Sequence, residues 1–575
     1  MMIMKKILTF IFIWATMVGL SACLDDNNNY NYSEVNKLEK AGIGGMRDEY
    51  FLVYQQELTI TPTFEFTIDK ENPDVSYEWR LDGVLLQNET NPSCTFSFEE
   101  GGVHEVTYTV VDNKTGVKFS KSCTLKVRSP FARGWLVLTE DGQQSKLSFV
   151  GANSVSYRLT VTDGTTTAEI DRDSLVYSYV MKDVTPGLGF NPKGLFLNAG
   201  YVSSSGETYE VPDEVVVMQN TWVELNGVTL EHEVDTEDEF RGDLPAAGFD
   251  PVMAAMTFSG KAILNSDGHI YWAGMAIPTD FHSCGYTSFP VGKNRKFKGI
   301  YPSYKMTESH IAMPVITEDN ELAGLFDDAG PDYNDPTIME QSDYSGQVFS
   351  VQENEDTDSP VDVQYKLPDT WEVLTMMPAT SEEDGIQSAN PSWVAIIKDG
   401  SKYKLLYFQW ITGAYSYYSK IANGFFKVYD LEGLTGFTDM AVFNNKKYAV
   451  IANKNDLYYF QYGVGIEKAT LKKLYSFDSP VKALDANDIY SSNDGGSDAE
   501  KWQPEHNGQL GVALEDETFS IYEVWETENS EGVATDAKIN QLFPDPNNPV
   551  DNRFGKVVDV LYKYGSIREF LEFTY

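Results

Sequence analysis

A chain of 575 residues that carries 86 Asp and Glu against 44 Lys and Arg, a formal net charge of -42, excludes nucleic acid as a ligand, because neutralising phosphates needs clustered cations. The acidic residues are spread along the chain rather than blocked, which points to a solvated surface. The length suffices for two or three domains with cores of their own, and past the N-terminus no apolar run of about 18 residues marks a membrane-spanning helix.

At the N-terminus Lys5 and Lys6 precede the apolar run Ile7 to Leu20, broken only by Thr9, Thr16 and Gly19. That is a positive region followed by a hydrophobic one, too short for the roughly 20 residues a bilayer requires. The next four residues to note, Leu20-Ser21-Ala22-Cys23, resemble the bacterial lipobox, whose cysteine is acylated and becomes residue one of the mature chain. The alternative is an ordinary signal peptide with an incidental cysteine. The expectation is a lipoprotein signal peptide over residues 1–22, lipidation at Cys23 and a lipidated polar tether over 23–37. Leu24-Asp25-Asp26 resembles the acidic export signal of Bacteroidetes lipoproteins, which implies an outer-membrane, lipid-anchored protein facing the extracellular side.

Short alternating segments rich in Val, Ile, Thr, Tyr and Phe, punctuated by Asp-Gly, Asn-Gly and Gly-Gly turns, predict an all-β chain. Over residues 38–129 the stretches "ELTITPTFEFTI", "SYEWRLDG" and "GGVHEVTYTVVDNKTG" predict an immunoglobulin-like sandwich with Trp79 in its core. These motifs resemble the polycystic-kidney-disease (PKD) type of that fold, and more closely the PKD-like lipoproteins of Bacteroidetes. Cys94 shares a strand face with Phe96 and Phe98, and Cys123 with Phe119, Leu125 and Val127, so both point inward. A disulfide between them and two buried thiols are both compatible with this placement, and Cys284 is then the odd cysteine, buried rather than reactive.

Residues 130–575 carry a loose recurrence of an apolar strand, a tight polar turn and a second strand. Examples are "GWLVLTEDGQQSKLSFV" from Gly134, "EVVVMQNTWVELN" from Glu214, "SWVAIIKDGSKYKLLYFQW" from Ser392 and "KVVDVLYKYGSIREFLEFTY" from Lys556. Strands such as "WVAII" and "YAVIA" are apolar at nearly every position, as in a strand covered on both faces, whereas sandwich strands alternate. The pattern predicts a β-propeller of about seven blades, closed by the last strand pair, with serial sandwiches as the alternative.

Motifs that carry chemistry are few. The six histidines show no metal-ligand spacing, and no nucleophile elbow or phosphate loop is present. His282 and Cys284 read as loop neighbours without a third ligand. No catalytic residue, metal site or cofactor is expected, apart from calcium at acidic loops such as those from Asp235, Asp327, Glu353 and Asn493. Trp410, Tyr415, Tyr417 and Tyr418, in "FQWITGAYSYYSK", are the candidate ligand-binding aromatics, set against the simpler view that they line a blade.

The resemblance implies a non-enzymatic accessory or binding component of a TonB-dependent nutrient uptake complex. Its partners would be the outer-membrane transporter and its lid lipoprotein, with a glycan or peptide as ligand and the membrane reached through the lipid anchor. A surface hydrolase of glycan or peptide acting from the propeller funnel is the alternative, and a structural or adhesion protein the third reading.

Overall fold

The computed structural model describes residues 36–563, apart from 53–56, 203–209, 275–280, 303–311, 327–347, 353–365, 380–391, 413–418, 444–447, 488–507, 529–533 and several stretches of one to three residues, Cys284 among them. The chain divides into two compact units, Met1–Arg128 and Ser129–Tyr575.

The first unit is an immunoglobulin-like sandwich. Its larger sheet has the strand order Glu49–Leu52, Lys118–Val127, Gly102–Asp112, Val75–Leu81, Val84–Leu85, and the facing pair is Leu58–Ile60 with Cys94–Phe96. The Asp82-Gly83 turn has φ of 51° and 78°, so both residues between Leu81 and Val84 are left-handed, as a type I′ hairpin requires. Trp79 is fully buried against Tyr108 and Phe96, and its indole N–H donates to the Asn91 carbonyl at 2.9 Å. Cys94 from the small sheet and Cys123 from the large one enter the same core as free thiols. Of the two arrangements compatible with the sequence, the structure therefore has the thiols, and burial pushes both up to about 11.

The second unit is a β-propeller, whose described residues form seven antiparallel blades, the fourth and fifth joined in one eight-stranded sheet, besides two two-stranded pairs. The first sheet pairs Gly134–Asp141, Gln144–Asp163 and Thr166–Met181 with the C-terminal strand Lys556–Lys563 on its inner edge. The second comprises Gly194–Asn198, Glu214–Met218, Val223–Asn226 and His232–Asp235; the third, Pro251–Thr257, Gly260–Asn265 and Ile270–Gly274. The fourth begins at Phe297–Ile300, the fifth at Trp371–Ala379, the sixth at Phe437–Phe443 and the seventh at Val481–Asn487. The fourth and fifth also meet at their outer strands, where Val351 and Gln352 pair in parallel with Ser419 and Lys420.

Why the strands are apolar at successive positions follows from what covers them. In Ser392–Asp399, Trp393, Ala395 and Ile397 face the layer shared with the fourth sheet, while Val394 and Ile396 face the layer shared with the sixth. The same split places Trp135 and Val137 toward the seventh sheet, Leu136 and Leu138 toward the second. Successive apolar layers join Leu147 with Val215, Val216 with Ile263, Leu264 with Val315, Leu322 with Trp393, Ile396 with Met440 and Val450 with Leu484. A last layer joins Ile521 of the seventh sheet with Val560 of the first and closes the ring.

Closure rests on one aromatic cluster. Trp135 is fully buried, 5.0 Å from Tyr562 and 5.9 Å from Phe519 between ring centroids. Trp135→Ala is expected to destabilise the propeller by about 3–5 kcal/mol. Combined with Tyr562→Ala it should cost less than the sum of the two changes, because the rings touch; urea unfolding of the four proteins of this cycle checks it.

Candidate functional site

Two constellations of ionisable groups stand out in the propeller. The first lies on the inner strands. Asp439, Asp485 and Asp559 belong to the innermost strands of the sixth, seventh and first sheets, and each is half-buried. Each reaches the next sheet in the ring. The backbone N–H of Leu484 donates to Asp439 at 2.7 Å, that of Tyr562 to Asp485 at 2.6 Å and that of Leu195 to Asp559 at 2.8 Å. Asp439 and Asp559 also accept the N–H of the following residue, Met440 and Val560, on the other carboxylate oxygen.

A bulge helps to aim them. The register of the innermost strand against its neighbour shifts just before Asp439 and just before Asp559, so an extra residue, Thr438 or Val558, is turned out of the ladder. The inner edge of a propeller sheet has no further strand to take its N–H groups, and these carboxylates supply acceptors there. Burial pushes Asp439 up to about 7, Asp485 up to about 8 and Asp559 up to about 6. Repulsion from Asp559 adds to the effect at Asp439 and Asp485, while the backbone donors pull the other way.

The second constellation lies between the second and third sheets. Lys261 bonds Glu224 at 2.8 Å and Glu239 at 2.8 Å, and all three side chains are buried. The 3-10 turn Thr236–Glu239 and the short parallel pair of Phe240–Arg241 with Tyr286–Thr287 carry Glu239 and the loop bearing His282 to this place. His282 Nδ1 lies 2.6 Å from Glu239, and its Nε2 lies 3.9 Å from Glu214 and 4.0 Å from Glu233. Tyr286 packs its ring beneath the Lys261 ammonium at 5.7 Å. A cavity of about 10 Å³ beside Glu224 and Lys261 is bordered by Asn198, Trp222 and Thr236, room for about one water.

Charge and burial compete here. Burial, with the neighbouring Glu224, pushes the Glu214 carboxyl well above its usual range. Burial acts on Glu224 in the same direction, but the Lys261 ammonium and hydrogen bonds overcome it and hold that carboxylate low. Against the cost of burial, Glu224 and Glu214 keep Lys261 protonated, and the bond to Glu239 raises His282. A second buried ion pair, Lys563 with Asp213, ties the end of the closing strand to the residue preceding Glu214.

Of the residues singled out from sequence, Trp410 lies in the strand Lys402–Thr412 of the fifth sheet. Cys23, Tyr415, Tyr417, Tyr418 and Cys284 lie outside the described residues, as do the acidic loops from Asp327, Glu353 and Asn493. The loop from Asp235 is described: Asp235 bonds His232 at 2.8 Å, and Glu239 turns inward to Lys261 and His282. Sequence spacing sets His282 beside Cys284 without a third ligand. The fold instead brings it to glutamates from the second sheet, more than 40 positions earlier, so that Glu214, Glu224 and His282 each offer a ligating atom within 4.8 Å of the others.

Residues 23–171 match the model of the PKD-like family. No curated protein sequence matches the chain. Among solved structures, a quinonprotein alcohol dehydrogenase-like protein of Bacteroides thetaiotaomicron is similar at 9% identity, covering 93% of this chain and 98% of that one, with a TM-score of 0.31. BamB from Moraxella catarrhalis is similar at 9% identity over 73% of this chain and 86% of its own, TM-score 0.29. Prp20p of Saccharomyces cerevisiae is similar at 11% identity over 66% and 94%, TM-score 0.32. Likenesses this low carry no argument about ligand or activity, and the fold rests on the strand pairing itself.

Two outcomes follow from the geometry. A carboxyl whose folded pKa is raised binds its proton more tightly when folded, so the stability linked to Asp439, Asp485 and Asp559 is complete below about pH 4 and lost as pH rises through their folded values. The thermal midpoint of the propeller is expected to fall between pH 6 and 8. Asp485→Asn should flatten that slope while lowering stability throughout, since an amide offers the Tyr562 N–H one acceptor fewer. Lys261→Met leaves the buried glutamates without their cation and is expected to cost about 3–5 kcal/mol in urea unfolding.

Proposed function

We propose that this protein is a surface-exposed outer-membrane lipoprotein that serves as a non-enzymatic accessory or binding component of a TonB-dependent nutrient uptake complex. Cys23 is its lipid anchor, residues 24–37 its tether, the PKD-like sandwich a spacer or docking wedge, and the propeller the part that makes the specific contact. The observation that carries this reading is that the PKD-like match begins at Cys23, the cysteine that ends the lipobox. Lipidation and the acidic residues after it imply the address, and acyl chains supply membrane attachment that the polar tether does not.

The inner-strand carboxylates support a binding role over hydrolysis. A general acid or base must reach the substrate's proton. Asp439 and Asp559 have both oxygens engaged by backbone N–H groups, and Asp485 is likewise held by the Tyr562 N–H, so these groups serve to fasten adjacent sheets.

Tagging the C-terminus, solubilising the native outer membrane gently and identifying co-purifying proteins by mass spectrometry tests the proposal. Recovery of a TonB-dependent transporter and its lid lipoprotein in stoichiometric amount is the expected result, and Cys23→Ser should release the protein from the membrane fraction. Isolation of the protein alone contradicts the accessory role and directs attention to glycan and peptide cleavage.

A further inference from the structure

We propose that Glu214, Glu224 and His282 form a binding site for one divalent transition-metal ion, Zn2+ or an ion of like preference, between the second and third propeller sheets. The site is independent of the membrane role proposed above.

The geometry of the imidazole is the first support. Glu239 accepts a bond from His282 Nδ1 at 2.6 Å, which leaves Nε2 as the ring nitrogen facing Glu214 and Glu233. A carboxylate behind the histidine, fixing its tautomer and raising its basicity, is the usual support of a metal-ligating imidazole. The three candidate ligand atoms lie within 4.8 Å of one another, with Nε2 and the Glu214 oxygen at 3.9 Å. Zinc bonds of about 2.0–2.2 Å set ligand atoms roughly 3–4 Å apart, so small rotations of the side chains close the set.

An independent observation concerns Glu214. It is 2% exposed, and among the described residues neither carboxylate oxygen meets an N–H donor; its carboxyl lies instead against that of Glu224. A buried carboxylate without a donor is expensive, and a cation between it, Glu224 and the imidazole would satisfy it.

Charge points the same way. Among the described residues Glu214, Glu224 and Glu239 face one buried ammonium, Lys261, so with all three carboxyls ionised and His282 neutral the cluster would hold two negative charges in excess. A divalent ion cancels that excess. Lys261 bonds Glu224 and Glu239 directly, whereas no bond joins it to Glu214. One imidazole with two carboxylates suits zinc, manganese or ferrous iron, whereas calcium and magnesium take oxygen alone. Among the described residues the cluster reaches solvent through the side chains of His282 and Glu233, 30% and 40% exposed.

The competing arrangement puts protons where the metal would be: a neutral Glu214 and an imidazolium between Glu239 and Glu233. Titration of chelator-stripped full-length protein with ZnCl2 by isothermal calorimetry, and with MnCl2 and CaCl2 in parallel, separates the two. The expected result is one saturable equivalent of Zn2+, with a higher unfolding midpoint when it is bound. Glu214→Gln and His282→Ala should each weaken binding at least tenfold, and Glu239→Gln, which removes the carboxylate behind the ring along with its ion pair to Lys261, by about 10- to 100-fold without changing the stoichiometry. Asp551→Asn, on an exposed loop, should leave it unchanged. Circular dichroism establishes that each variant is folded, and His282→Ala, with its ring partly exposed, decides the matter should Glu214→Gln fail to fold. No saturable Zn2+ binding, equal binding by the parent and folded His282→Ala protein, or a preference for Ca2+ would each overturn the assignment.

Discussion

Coverage of the propeller strands on both faces is the constraint from which the rest of the second unit follows. A sheet whose alternate residues are apolar on both sides needs a neighbour on each side, and a linear stack would leave its first and last faces bare. The strand Lys556–Lys563 removes both bare faces at once, by pairing with Gly134–Asp141 and by placing Val557, Val560 and Tyr562 in the layer between the seventh and first sheets. Closure is thus a hydrophobic event enforced by pairing the two ends of the unit, and apolar burial at about 25 cal/mol per Å² is its driving force.

The same constraint creates the polar features. A charged residue on a doubly covered strand has no solvent to turn toward, so Glu224 and Lys261, on neighbouring sheets, meet as a buried pair. Such a pair contributes little net stability but penalises any packing that would separate its members. On the inner edges the unsatisfied groups are backbone N–H rather than side chains, and the aspartates answer them. Asp439, Asp485 and Asp559 form successive steps from the sixth sheet to the second, each carboxylate on one sheet bonded to the backbone of the next. The ring is therefore held by apolar layers across its sheets and by carboxylate clasps along part of its inner wall.

Much of the fold is legible in the residues alone. The run Trp393 to Ile397 is apolar throughout because its two faces enter two different layers, and that is what separates a propeller strand from a sandwich strand. Trp79 and the Asp82-Gly83 turn likewise announce the N-terminal sandwich. The polar constellations are less legible. Asp439 and Asp559 owe their direction to bulges, which depend on pairing with a second strand and leave no mark in spacing. His282 finds its glutamates through the packing of the second sheet on the third, so no local motif records it. One signal was there to read: Glu224 and Lys261 interrupt otherwise apolar strands, and a charge so placed must have a partner across the interface. The expected aromatic patch gains no such support, since only Trp410 of its four residues falls among the described ones.

Native-state hydrogen exchange tests the closed ring most directly. Those amides of Lys556–Lys563 that bond Gly134–Asp141 should open only with global unfolding of the propeller, at the same free energy as those of Val394 to Ile397 in the fifth sheet, because both strands lie between two apolar layers. Exchange of Lys556–Lys563 at a distinctly lower free energy, with the fifth sheet still protected, would mean that the C-terminal strand frays on its own. The ring would then not depend on it for closure.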